Sequence, residues 1–535
     1  MFDQLRADDT GTARRLKQKT MNHVVESQEP VFELLADSAT HDGGSIKRVD
    51  THAAVVFLGR ERVLKVKRAV RFPFLDFSSV EKRKAACEAE LEVNRPYAPE
   101  IYRGVVPITR EADGRLALDG RGTPVEWAVE MARFDETRTL DHLADAGRVD
   151  ATLADALGRT IAAAHARAPA VEPASWIVAM SAYIDEHVIA FNETSDVFPT
   201  AEVDALARAS RAAYSRIHPL LVARGEQGLV RRIHGDLHLG NIVLIDDWPV
   251  LFDAIEFSPL IASGDVLYDL AFLLMDLVER GLGASANIVF NRYLLCTQRA
   301  EDLDALAALP FFLSMRAAIR AKVTAARLKQ ADPEKQPEIR RNARRYFDWA
   351  GCFIEPAPPV LVAIGGLSGT GKSVVARALA PSLAPAPGAV VLRTDIERKA
   401  LFGKEEAEPL AREAYEPAVT ARVYDAVVEK ARRALAAGHS AVVDAVFAKL
   451  QERVAVEQAA AALGVPFHGL FLETALATRV ARVGSRDRDA SDADAAIARA
   501  QESYDLGDLT WSRISTSGTP EQTLARAKAV MEGNA

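Results

Sequence analysis

The spacing of apolar and polar positions changes character several times along the chain. Residues 22–37 set Val25, Val31, Leu34 and Leu35 at helical intervals. Residues 46–70 (IKRVDTHAAVVFLGRERVLKVKRAV) alternate instead and are rich in β-branched side chains, which predicts antiparallel strands turning at Gly59–Arg60. A serine-led helical run follows at 78–95, and VEWAVEMARF (125–134) reads as an apolar strand entering a polar turn. From 138 to 230 the chain is alanine-rich with helical periodicity. Within that stretch Trp176, Tyr183, His187 and Phe191 recur at helical spacing, which predicts packing rather than a ligand box. IVLI (242–245) and VLF (250–252) flank the turn DDWP (246–249), a hairpin pattern. Residues 264–281 predict an amphipathic to buried helix. Residues 316–330 place Arg316, Arg320 and Lys322 on another, with a basic face expected in solvent. EPAPPV (355–360) is a proline-rich break. Beyond it come an apolar strand at 360–366 that runs through a glycine-rich turn into a helix, a second in 390–399 ending at Thr394–Asp395, a third in 439–447 ending at Asp444, and a fourth at 466–474.

Length and charge narrow the picture. A chain of 535 residues is too long for one ordinary core, and 49% apolar with 26% charged residues is globular. A net charge of −8 makes nucleic acid an unlikely general partner. Cys87, Cys296 and Cys352 are scattered and odd in number, which predicts neither disulfides nor a zinc site, and implies a reducing, cytoplasmic setting. No apolar run approaches the ~18 residues of a membrane span, and the first 20 residues lack the apolar segment of a secretory signal. They read as a poorly ordered leader.

Two stretches carry chemistry. In HGDLHLGN (234–241), Asp236 and Asn241 stand five apart, and the hairpin that follows would return Asp253 to their side. A carboxylate to take a hydroxyl proton, an amide oxygen for a metal and a second carboxylate opposite it are the needs of phosphoryl transfer. The second stretch is GLSGTGKS. Here Gly366, Ser368, Gly369, Thr370, Gly371, Lys372, Ser373 and Val374 run from a strand into a helix, the full context of a P-loop. Its backbone N–H groups cradle phosphate, Lys372 reaches the β/γ-phosphates and Ser373 coordinates Mg²⁺. In a parallel sheet Asp395 and Asp444, at the ends of two further strands, converge on the same place. Asp395 is then a candidate base or acceptor-binding group, and Asp444 a candidate metal or acceptor group.

HGDLHLGN…FDAIEF resembles the aminoglycoside phosphotransferase-like relatives of the protein kinases. The segment from 359 is similar to the gluconate-kinase, zeta-toxin and polynucleotide-kinase group. Together they resemble the bifunctional aminoglycoside phosphotransferase-like and P-loop ATP-binding fusion family. The resemblance implies an α+β protein-kinase-like two-lobed domain over 21–352 (N-lobe 21–134, C-lobe 135–352), a linker at 353–358, and an α/β P-loop kinase domain with a parallel sheet over 359–535. It implies Asp236 as catalytic base, Asn241 and Asp253 as metal ligands, and His234 as a structural member of the loop. Lys65 or Lys67, with Lys65 favoured, would contact the nucleotide phosphates, fixed by Glu88 or Glu90, with Glu90 favoured. Glu130 and Ala132 would hold adenine by backbone groups. A lid would bring Arg479, Arg482, Arg486 or Arg488 onto phosphate, with Arg482 and Arg486 preferred. The implied activity is an ATP- and Mg²⁺-dependent transfer to a small hydroxyl acceptor. A regulatory nucleotide-binding protein and a 5′-hydroxyl nucleic-acid kinase are the alternatives.

Overall fold

The computed structural model describes residues 24–41, 43–51, 53–72, 75–329, 331–484 and 490–533. The expected leader over 1–20 lies outside them. The chain divides into two compact units. The first runs to Arg280 and resumes over Phe312–Gly351; the second takes Gly281–Phe311 and everything from Cys352 onward. The helices Gly283–Thr297 and Ala300–Asp304, expected within the first domain, therefore belong with the P-loop unit.

The strands of the first unit are β1 (Lys47–Asp50), β2 (Ala54–Leu58), β3 (Arg62–Lys67), β4 (Arg71–Phe72), β5 (Leu75–Asp76), β6 (Tyr102–Arg110), β7 (Leu116–Leu118), β8 (Thr123–Ala132), β9 (Val230–Arg232), β10 (Ile242–Ile245), β11 (Trp248–Leu251) and β12 (Ser263–Asp265). Six of them make one antiparallel sheet in the order β1-β2-β3-β8-β6-β7. Alternation along β3 decides what each face does. Leu64 and Val66 join Val55, Phe57 and the helix Glu29–Ala36 in one core. Val63 joins Val56, Leu58, Met131, Val243 and Phe252 in another, and Lys65 and Lys67 share that side. A one-residue slip would drive both lysines into the Leu64 core, so the register is strongly specified. The helix expected over 22–37 begins only at Glu29, with Pro30 in its first turn; Val24 instead pairs with Val70 as an isolated bridge.

The hairpin β10–β11 pairs Ile242 with Leu251. Asp246 and Asp247 both take positive φ (50° and 61°), as the tight two-residue turn requires. The helix Val266–Glu279 is buried along nearly its whole length, and Leu309–Ala326 supplies Arg316 and Arg320.

The second unit contains β13 (Leu361–Gly365), β14 (Val390–Arg393), β15 (Ala441–Asp444), β16 (Phe467–Glu473) and β17 (Ser512–Ser515). They form a parallel sheet in the order β14-β15-β13-β16-β17. The strand expected to end at Thr394–Asp395 stops at Arg393. The helix Thr394–Leu401 takes over, with Asp395 and Glu397 in its first turn and Arg398 and Lys399 in its last, which suits the helix dipole. β14 is an edge strand, and the helix Gly283–Thr297 covers that edge with side-chain amides. The Val391 N–H donates to Asn291 Oδ1 (2.7 Å), and Nδ2 of both Asn287 and Asn291 donates to the Ala389 carbonyl (3.1 Å each). Arg433 pairs with Asp304, and Phe290 packs on His439 with ring centroids 5.3 Å apart. Among the described residues no helix is long and apolar enough to cross a membrane.

Candidate active sites

In the first unit the two lysines of β3 meet one buried carboxylate. Lys65 Nζ lies 2.5 Å from Glu90 Oε1 and 3.1 Å from Asp253 Oδ1. Lys67 Nζ lies 2.6 Å from Glu90 Oε2 and also pairs with Glu256. Both lysines face the site, but only Lys65 touches Asp253. Glu88 is exposed and pairs with Lys84 (3.2 Å), away from this cluster. Two ammonium groups thus face three carboxylates out of water, which is tolerable only because each is paired. Burial alone would lower the lysine pKa values. Asp253, Glu90 and Glu256 reverse this at Lys65, and Glu256 and Glu90 at Lys67, so both are held above the ordinary lysine range. Glu90 itself, which burial would raise, is held below the ordinary range by Lys65 and Lys67.

The helix that carries Glu90 also fixes the chain after Asp253. Asn94, one turn on from Glu90, accepts from the Ala254 N–H (2.6 Å) and donates to the Ala254 carbonyl (3.1 Å). The Asp253 N–H donates to the Tyr102 hydroxyl (3.2 Å), and Asp253 is held at φ 61°, a conformation uncommon for a residue with a Cβ. Neither Asn94 nor Tyr102 belongs to a motif. The only sequence signal was a polar residue four positions from Glu90 on one helix face.

The loop after β9 is braced from below. Asp269 accepts from the N–H groups of His234 and Gly235 (3.0 Å each) and lies 3.2 Å from His165 Nε2. Asp265, at the start of the same helix, pairs with Arg224 and caps the helix Val266–Glu279. His234 Nε2 lies 3.0 Å from the Phe252 carbonyl, so its ring ties the loop to the hairpin. Arg316 is the clearest departure from the sequence reading. It is buried, donates to the Gly235 and Tyr268 carbonyls (3.1 Å each), and stacks 3.7 Å from the Tyr268 ring centre. Carbonyl oxygens and an aromatic face replace the solvent expected around it.

At the loop's tip Asn241 Nδ2 donates to the Asp236 carbonyl (2.9 Å) and to Asp236 Oδ2 (3.0 Å). The Gly240 N–H points at His238 Nδ1 (3.1 Å), which leaves the proton on Nε2, 3.4 Å from Asp236 Oδ2. Burial would raise the Asp236 pKa, but His238 and Arg320 more than reverse it, so the carboxylate stays ionised well below the usual range. Asn241 Oδ1 is buried with no hydrogen-bond partner. An amide that spends its N–H on Asp236 and leaves its oxygen orphaned fits a metal ligand, and Asp253 would be the second. Among the described residues no group of three His, Cys, Asp or Glu is gathered for a metal. A two-ligand set suits Mg²⁺, which takes most of its other ligands from phosphates and water.

The expected adenine contacts fare differently. Glu130 sits mid-strand in β8, its backbone between β3 and β6, and its side chain pairs with Arg62 (3.0 Å). The Ala132 N–H is donated to the Ile101 carbonyl (2.7 Å). Glu130 is thus engaged in ladders on both sides, and the Ala132 donor is already spent. Beside them lies a narrow apolar crevice lined by Leu58, Val63, Ile101, Met131, Phe134 and Phe252.

In the second unit the P-loop follows β13. A Cβ on Gly369 (φ 89°) would lie 2.6 Å from the Arg479 carbonyl oxygen, so this turn requires glycine. Gly366 and Gly371 also take positive φ, Thr370 Oγ donates to the Leu367 carbonyl (2.8 Å), and Val374 is half exposed on the first turn of the helix Lys372–Leu379. The Ser368 N–H donates to Gln501 Oε1 (2.7 Å), a contact no motif announced. Lys372 Nζ reaches back to the Leu367 carbonyl (3.3 Å). Ser373 Oγ donates to Asp444 Oδ2 (2.6 Å), on which Arg393 Nε also converges (3.1 Å). This hydroxyl–carboxylate pair would hold a second Mg²⁺. Asp395 is pushed up by burial first and by the neighbouring Asp444 next, the shift that suits a base. Arg482 binds the Thr516 side chain (3.1 Å) and carbonyl (2.9 Å), and a Cβ on Gly371 would lie 3.9 Å from its Nη1. Arg479 is buried and bonded to the Ala498 carbonyl (3.0 Å). Arg486 and Arg488 lie outside the described residues.

A kinase-like lobe pair and a parallel-sheet P-loop unit define a phosphotransferase of two modules. Comparison with known proteins agrees. Residues 55–309 match the phosphotransferase enzyme family and residues 361–506 match the AAA domain family. The first match lies over the kinase-like domain and the second over the P-loop unit, and the chain is an ATP-dependent kinase. An uncharacterized protein of Mycobacterium tuberculosis is 29% identical over 490 residues, 89% of this chain and 94% of that one, and one from Mycobacterium bovis matches equally. Among solved structures, a gluconokinase from Sinorhizobium meliloti is 19% identical over 33% of this chain and 93% of its own (TM-score 0.24). A choline/ethanolamine kinase family protein from Mesorhizobium loti is 15% identical over 61% of this chain and 95% of its own (TM-score 0.39).

Proposed function

We propose that the protein transfers the γ-phosphoryl group of ATP to a hydroxyl of a small molecule, with one Mg-ATP site in each unit. The buried, partnerless Asn241 Oδ1 beside Asp236 carries this reading for the first unit. In it Asp236 accepts the proton of the attacking hydroxyl, His238 and Asn241 fix its orientation, and Lys65, held by Glu90, meets the nucleotide phosphates. Asn241 and Asp253 would hold Mg²⁺, which when bound offsets the charge of the phosphate oxygens. In the second unit Lys372 and the P-loop amides hold phosphate, Ser373 and Asp444 are the metal side, Asp395 is the base, and Arg482 lies over the loop.

The test uses Asp236→Ala in a Lys372→Ala background, which silences the second site. Loss of a general base costs about 10²–10⁴-fold in turnover, while ATP binding measured by calorimetry stays within a few-fold. Phosphoryl transfer at the parent rate in that double variant overturns the assignment.

A further inference from the structure

The cluster around Glu90 holds two charged groups that the reading above does not use, Lys67 and Glu256. Lys67 Nζ lies 2.6 Å from Glu90 Oε2 and also pairs with Glu256, and the Phe77 ring centre stands 5.6 Å from it. The Lys67 side chain is 3% exposed and that of Glu256 10%. A buried ion pair stabilises a fold no better than apolar side chains of similar volume. A second Lys–Glu pair beside the first therefore calls for a use other than stability. What the pair joins supplies one. β3 carries both lysines, the helix Val80–Asn94 carries Glu90, and residues 253–256 carry Asp253 and Glu256. The 253–256 stretch belongs to no helix or strand, begins at φ 61°, and is held one residue at a time. Asn94 takes both backbone groups of Ala254. The Ile255 N–H donates to the His234 carbonyl (3.0 Å), and the Ile255 carbonyl accepts from Arg232 Nη2 (3.1 Å). Glu256 is held by its side chain, on Lys67.

β3 is thus tied to this stretch twice, by Lys65 on Asp253 (3.1 Å) and by Lys67 on Glu256. The two ties differ once the site is loaded. In the reading above Lys65 meets the nucleotide phosphates and Asp253 holds Mg²⁺, so both ends of the first tie have work elsewhere. An ammonium group and a divalent cation also repel each other when they share one carboxylate. Neither end of the second tie has such a task. Lys67 keeps Glu90 Oε2 whatever Lys65 does, and Glu90 stays where it can steady Lys65. Glu256 keeps the stretch against β3, and Asp253, three residues earlier, keeps the backbone conformation that aims its carboxylate.

We infer that Lys67 and Glu256 are positioning residues of the first site, a standing ion pair that keeps Glu90 and Asp253 in place when the Lys65–Asp253 contact opens. This rests on the reading of Asn241 and Asp253 as the metal ligands.

The experiment separates this from the parent reading. It uses the full chain with Lys372→Ala and follows Mn²⁺ binding by electron paramagnetic resonance, with and without the ATP analogue AMPPNP. The part of the binding that an Asp253→Ala control loses belongs to the first site. Glu256→Gln should weaken that part about 10- to 100-fold, as expected of a group that holds a metal ligand from behind. The loss should be larger with AMPPNP than without it, because only the loaded site opens the first tie. Lys67→Met should act the same way, Lys67→Arg should restore much of the loss, and the double variant should be no worse than either single one, since both remove the same pair. Where circular dichroism shows Lys67→Met unfolded, Glu256→Gln, at the less buried end of the pair, decides alone. Mn²⁺ binding untouched by Asp253→Ala removes the metal reading and this inference with it. Binding that needs Asp253 but is unchanged in Glu256→Gln and Lys67→Met overturns the inference alone. So does an equal loss with and without AMPPNP, which marks a brace of the fold and nothing more.

Discussion

Glu90 is the side chain on which the first site turns, because it is the one carboxylate shared by Lys65 and Lys67. Glu90→Gln leaves two buried ammonium groups short of an anion. Breaking a buried pair costs about 3–5 kcal/mol, so urea denaturation should show a lower midpoint and turnover at the first site should fall. Glu88→Gln, on the exposed side of the same helix, should change neither measurably. The two candidate bases should also differ in acid. Asp236 is held below the usual range and Asp395 above it. Each works only when ionised, so the acid limb of the second unit's kcat/KM profile should lie at higher pH than that of the first. Asp395→Asn should abolish turnover at the second site rather than move the limb. The signs for stability are opposite. Asp236, depressed in the fold, contributes stability above its unfolded pKa and loses it as pH falls. Asp395, raised in the fold, opposes folding once ionised, and that penalty disappears as pH falls through its native pKa. Profiles measured separately on the Lys372→Ala and Asp236→Ala proteins check the order of the limbs.

The elements show where reading the sequence succeeds and where it stops. β3 was legible because alternation fixes two faces, and a lysine two residues from another must share its side. The hairpin was legible because a short polar turn between apolar runs leaves few other shapes, and it is what returns Asp253 to Asn241. Arg316 was misread because a basic residue at helical spacing looks the same whether water or carbonyl oxygens surround it. Asn94, Tyr102 and Gln501 were missed because a single polar residue acquires its meaning from a partner far along the chain. The same holds for the edge of β14, whose cover comes from Asn287 and Asn291, about a hundred residues earlier. Asn291→Leu leaves the Val391 N–H without its acceptor and should cost about 1–3 kcal/mol, measured as a fall in the second unit's melting temperature. His439 near that edge is fully buried, donates Nε2–H to the Gly388 carbonyl, and is held down to about 4. Its native pKa is depressed, so stability is lost as pH falls from the unfolded value near 6.5 toward 4, by at most roughly 3 kcal/mol. His439→Gln should flatten that part of the acid unfolding curve.

Taken whole, the chain enters the second unit, leaves it and returns. A cut at the proline-rich break, which the sequence marks as the natural boundary, therefore removes the helices that cover β14. A fragment of residues 355–535 should melt well below the same unit in the full chain, and a 281–311 peptide added in trans should raise its melting temperature. Equal melting temperatures with and without those helices would show that they are dispensable. The family match reaches 309, so sequence similarity and structural membership part company over these thirty or so residues. That detour also matters while the protein is being made. Helix Gly283–Thr297 leaves the ribosome about 90 residues before the strand it covers, which at roughly 5–20 residues per second is a delay of about 5–19 s. Through that interval Phe290 and the asparagine amides have neither strand nor sheet to meet, and chaperones or neighbouring nascent chains can reach them first. The speed of translation between 312 and 390 therefore acts on yield, and synonymous codon changes there would alter how much protein folds while leaving every residue of it unchanged.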